Sequence, residues 1–86
     1  MKLKAGFLLR EVAGRIVVVP ERDVLDLNVM ISLNPTGRFL WERLEAGASA
    51  AELEEALMAH YGIDRQLAEA DVQKFVQNLS DHGFLE

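Results

Sequence analysis

The sequence predicts an α+β fold: a three-stranded antiparallel sheet followed by three helices, in a winged-helix-turn-helix-like order. Three observations carry this reading. β-favouring runs fill the first third of the chain and do not recur after it. Two of these runs are separated only by Ala13-Gly14, a hairpin-sized turn. From Pro35 onward, apolar residues recur at helical spacing in three segments, each opened by a capping residue and closed at a glycine.

The first strand covers about residues 6–12 (GFLLREV) and the second about 15–19 (RIVVV). Pro20 closes the second, because it has no N–H to give a ladder. Glu21–Leu27 is acidic and mixed, and reads as a connecting loop. The third strand covers about 28–33. Its alternation sets Val29, Ile31 and Leu33 on one face and Asn28, Met30 and Ser32 on the other, as expected of a strand with one buried side. The first helix covers about 35–45, with Asn34 as N-cap and Pro35 at the first helical position, where a missing N–H costs nothing. Phe39, Leu40, Trp41 and Leu44 supply its apolar residues. The second covers about 50–61 behind the capping box Ser49-x-x-Glu52, with a stripe of Leu53, Ala56, Leu57 and Tyr61. The third covers about 65–81 behind Asp64, with a stripe of Leu67, Val72, Phe75, Val76 and Leu79. After Gly83, Phe84-Leu85 is expected to fold back as a short apolar segment.

With 86 residues the chain is read as one domain, 1–86, near the size at which a single core is marginal. No apolar run approaches the roughly 18 residues of a membrane span, and the N-terminal apolar stretch Phe7-Leu8-Leu9 is too short for a secretory signal. The absence of cysteine excludes disulfides, thiolate chemistry and cysteine-ligated zinc, and fits a cytoplasmic location. The net charge of −5 is unevenly spread: Met1–Glu45 carries +1 and Ala46–Glu86 carries −6. A nucleic-acid reader needs a basic face to displace phosphate counterions. The third helix, which would be the reader in a winged-helix nucleic-acid binder, has the opposite sign, so that alternative ranks below a protein-binding role.

No catalytic constellation, metal site or cofactor site is expected. His60 and His82 have no second histidine at i+3 or i+4. Ser80-Asp81-His82 holds triad residue types, but consecutive residues point in different directions and the segment reads as a solvated helix end. Glu52, Glu54 and Glu55 read as a solvated helix face, and Gly37 stands alone instead of in a phosphate loop. Phe39, Trp41 and Phe75 read as core residues, with Trp41 at the core rim so that its indole N–H can find a partner. What remains is a sheet edge, whose free N–H and C=O groups could capture an extended peptide by strand addition.

The ordered set Leu33-Asn34-x-x-Gly37-x-x-x-Trp41, then Gly47 with Ser49, then the run Asp71-Val72-x-x-Phe75-Val76-x-x-Leu79-x-x-x-Gly83-x-Leu85 resembles the PqqD-like family (coenzyme PQQ synthesis protein D and its relatives). The resemblance covers roughly Gly6 to the C-terminus. Glu45-Ala46-Gly47 and Pro35-Thr36 depart from the pattern of the PQQ-pathway member and fit the broader group. The resemblance implies a non-catalytic recognition element for ribosomally made, post-translationally modified peptides. Such an element acts as a chaperone that holds the leader segment of a precursor peptide and presents it to a modifying enzyme, often a radical S-adenosylmethionine protein. The leader adds as a strand beside the third strand, in a groove shared with the third helix. Carried to this chain, the implied peptide-binding residues are Asn28, Val29, Met30, Ile31, Ser32 and Leu33 on the strand and Val72, Phe75, Val76 and Leu79 on the helix. The expected partners are the precursor peptide and its modifying enzyme. A regulatory or assembly subunit is the related alternative, and the chain is expected to be a monomer or weak homodimer.

Overall fold

The three helices and the N-terminal hairpin are set by local devices that the sequence carries. The structure is a computed structural model and describes residues 1–20 and 31–86. Strands β1 (Phe7–Val12) and β2 (Arg15–Pro20) are joined by Ala13-Gly14, whose φ angles of 52° and 77° are the positive pair of a type I′ turn. This turn twists in the same sense as the strands and sets a tight register, with Val12 opposite Arg15 and Phe7 opposite Pro20. Strand β3 (Ile31–Leu33) pairs antiparallel with β2, so the sheet order is β1-β2-β3 and β3 lies at an edge. Ile31 and Leu33 are buried and Ser32 is exposed, as the alternation predicts.

Helix α1 (Pro35–Glu45) starts one residue after β3. The Asn34 side chain accepts from the Gly37 N–H at 2.7 Å. Helix α2 (Ala50–Tyr61) opens with a complete capping box: the Glu52 N–H donates to Ser49 Oγ and the Ser49 N–H donates to Glu52 Oε1, both at 3.1 Å. Helix α3 (Arg65–Asp81) opens on Asp64, which accepts from the Leu67 N–H at 2.9 Å. At its end the Phe84 N–H donates to Leu79 O at 2.9 Å and the Gly83 N–H to Ser80 O at 3.1 Å. This is the Schellman arrangement, made possible by Gly83 at φ 75°.

That turn sends Phe84 back into the core. Its ring meets Phe7 edge-on at 4.5 Å and Trp41 at 6.0 Å. The N-terminal segment runs antiparallel to the C-terminus, with Lys4 N–H donating to Phe84 O and Glu86 N–H to Lys2 O. Val18, Ile31, Leu33, Leu40, Trp41, Leu44, Leu53, Leu57, Val72, Leu79 and Phe84 form one core between sheet and helices.

Three apolar residues behave differently from their stripes. Tyr61 and Leu67 are 43% and 48% exposed, at the end of α2 and the start of α3. Both sit where the chain turns from one helix to the next, and Ala68 takes the buried place one residue after Leu67. Trp41 lies within the core at 1% exposure, not at its rim, and its indole N–H has no hydrogen-bond partner among the described residues. No described helix is long and apolar enough to cross a membrane.

Candidate peptide-binding groove

The orientation of the β3 backbone follows from the hairpin. A two-residue turn closes on a hydrogen-bonded pair, so Arg15 directs its N–H and C=O at β1. Alternation along β2 then directs those of Ile16 and Val18 at β3. Their partners in the ladder are Leu33 and Ile31. Ser32, opposite Val17, therefore directs its N–H and C=O away from the sheet. Among the described residues, no strand pairs with that side of β3.

Beside this edge lies a groove of about 390 Å³ between the β3–α1 junction and α3. Ser32, Asn34, Thr36 and Gly37 form one wall, and Asp71, Lys74 and Asn78 form the other. Leu33, Leu40 and Phe75 line the apolar part. The close approach of strand and helix depends on Gly37: a Cβ there would stand 3.2 Å from Asn34 Oδ1 and 3.3 Å from Leu33 Cδ2. The Leu33-Asn34-x-x-Gly37-x-x-x-Trp41 pattern thus has a physical basis. Leu33 closes the strand, Asn34 caps the helix, Gly37 leaves room for both, and Trp41 anchors the next turn in the core.

Helix α3 carries two overlapping faces. Ala68, Val72, Phe75 and Leu79 follow i, i+4, i+7, i+11 and face the core. Asp71, Lys74, Phe75 and Asn78 form a neighbouring stripe and face the groove. Phe75, 8% exposed, belongs to both.

Against the implied binding residues, Ser32, Leu33 and Phe75 line the groove. The Ile31 side chain is buried in the core at 6% exposure and its main-chain polar groups face β2, so Ile31 does not present itself to the groove. Val72 and Leu79 are core residues at 2% and 0% exposure, and Val76 is half-buried against the core; none of the three lines the groove. Asn28, Val29 and Met30 lie outside the described residues, as does the Glu21–Leu27 loop. The residues that hydrophobic periodicity passes over are the polar ones: Asp71, Lys74 and Asn78, and Asn34 and Thr36 at the start of α1. The signal available for them was the position of Asp71, Lys74 and Asn78 just beside the apolar stripe, on the side of the helix shared with Phe75.

The histidines lie elsewhere. His60 stacks on Phe39 at 4.5 Å between centroids, with the Arg43 guanidinium 5.0 Å from the same Phe39 ring. His82 Nδ1 lies 2.8 Å from Asn78 O at the end of α3.

A three-stranded sheet whose edge strand leads directly into a capped helix, followed by two more helices with a groove running from that edge to the last one, defines the α+β class of this fold. The chain belongs to the family of coenzyme PQQ synthesis protein D (PqqD), which matches residues 14–85. No curated protein matches the chain. Among solved structures, it is similar to TbiB1 in complex with the TbiA(beta) leader peptide, at 24% identity and a TM-score of 0.79, covering 100% of this chain and 95% of that one. It is also similar to lasso peptide synthetase B1 complexed with the leader peptide, at 24% identity and a TM-score of 0.74, covering 96% and 93%. These two likenesses establish the shared fold.

Proposed function

We propose that this protein is a non-catalytic recognition element that captures the leader segment of a ribosomally made precursor peptide and presents it to a modifying enzyme, a radical S-adenosylmethionine protein or another peptide-modifying enzyme. The observation that carries this reading is the outward-facing main chain of Ser32 on a strand edge that no other strand pairs with among the described residues, beside a groove floored by Leu33, Leu40 and Phe75. An extended leader adds there as a fourth strand. Its main chain bonds to β3, and alternate side chains enter the groove toward α3. Family membership supports this reading, and so do the leader peptides held by the two proteins of similar fold. Asn28, Val29 and Met30 are proposed to continue the strand edge. Val72 and Leu79 support the groove from beneath by fixing α3, and Phe75 meets the leader directly.

The test is an amide NMR titration of the protein with synthetic leader segments of short precursor peptides encoded beside it. Shifts concentrated at Ile31–Leu33 and along Asp71–Asn78 are expected. Shifts scattered over the surface, or confined to the far ends of α1 and α2, would count against strand capture.

A further inference from the structure

The polar wall of the groove indicates which leader it takes. Asp71 is half-buried and lines the groove beside Phe75. Lys74, one turn further along α3, could pair with it, yet the only ion pair among the described residues is Arg38 with Glu42. No hydrogen bond to the Asp71 side chain occurs among the described residues either. A partly buried carboxylate without a partner among the described residues, on the wall of a groove, is placed to accept from a donor that enters.

We infer that Asp71 is a specificity-determining residue that selects leader segments with a Lys or Arg two residues from an apolar anchor. This rests on the strand-capture reading above. Asp71 and Phe75 are four residues apart on α3, about 6 Å along the helix axis. Side chains on one face of an extended strand repeat at about 6.7 Å. In a leader strand that runs along α3, an apolar residue seated over Phe75 brings the next same-face residue level with Asp71. The acidic C-terminal half, with −6 between Ala46 and Glu86, draws a basic segment toward this side at longer range.

The experiment is a selection from a display library of random 12-residue peptides against the full chain, run in parallel on Asp71→Asn and Asp71→Lys. Binders are checked for amide shifts at Ser32 and along α3. Wild-type binders are expected to be enriched in Lys or Arg at two positions from an apolar residue. The enrichment disappears for Asp71→Asn and turns to Asp or Glu for Asp71→Lys. A wild-type-selected basic peptide binds Asp71→Asn about fivefold more weakly, and the difference shrinks at high salt. Binders that shift Ser32 and α3 without any basic preference overturn this inference and leave strand capture standing. Binders that leave Ser32 and α3 unshifted, or a selection that yields none, overturn both. The wild-type preference is read without any substitution, so the test holds even if a variant folds poorly.

Discussion

Replacing Ser32 with proline separates the binding edge from the fold. In the ladder set by the Ala13-Gly14 turn, Ile31 and Leu33 bond to β2 and the Ser32 N–H faces away from it. Proline at this position therefore removes no sheet bond, and proline is tolerated on an edge strand whose N–H side is open. Ile31, which precedes it, is already in the extended conformation that a following proline requires. The cost to folding is expected to stay below about 1 kcal/mol. Binding loses more. The bond from the Ser32 N–H to a leader carbonyl contributes about 1 kcal/mol, and the carbonyl left without a donor costs a further 1–2 kcal/mol or so. The sum of about 2–3 kcal/mol corresponds to roughly 30- to 150-fold weaker binding. Isothermal titration calorimetry with a groove-binding peptide reads the affinity, and thermal denaturation followed by circular dichroism reads the fold. Ile31→Pro is the contrast: it removes a bond to Val18 and should lower the melting temperature sharply. If Ser32→Pro binds as tightly as wild type with an unchanged melting temperature, the leader does not bond to this edge. If it unfolds as Ile31→Pro does, the ladder phase argued from the hairpin is wrong.

Four further outcomes follow from the packing. Gly37→Ala should lower stability by about 1 kcal/mol despite alanine's better helix propensity, because its Cβ crowds the Asn34 cap and Leu33; a rise in melting temperature would refute the tight-junction reading. Ala13→Asn should raise stability by about 0.5–1 kcal/mol, since Ala13 holds φ 52° where asparagine is better suited; urea unfolding measures it. Trp41→Phe should change stability by less than about 1.5 kcal/mol, because the lost volume is offset by removing a buried N–H that has no partner among the described residues, whereas Trp41→Ala should cost about 3–5 kcal/mol. Leu79→Ala should lose about 2–5 kcal/mol of stability, while Asn78→Ala, one residue away on the groove face, should change stability by less than about 0.5 kcal/mol and weaken peptide binding. Equal effects of these two on melting temperature would mean that the two faces of α3 are not distinct.

Much of this protein is legible in the sequence because its punctuation is local. Asn34, Ser49 and Asp64 cap the three helices within three residues of where they stand, Ala13-Gly14 turns the hairpin, and Gly83 folds Phe84 back. The alternation of Ile31, Ser32 and Leu33 is likewise a property of three consecutive residues. Each depends on hydrogen bonds or dihedral preferences spanning a few positions, so the order of residues alone determines it. The depth of Trp41, the exposure of Tyr61 and Leu67, and the division of α3 between Leu79 in the core and Asn78 on the groove were settled only in three dimensions. An apolar stripe marks that a helix has a buried side, but the width of the buried arc depends on which neighbours reach it. Here α3 packs against α2 and α1, and Val72 and Leu79 are buried in the shared core. The strand edge stands off from the adjoining turn of the helix, leaving Asp71, Lys74 and Phe75 on a wall that no spacing rule along the chain could single out.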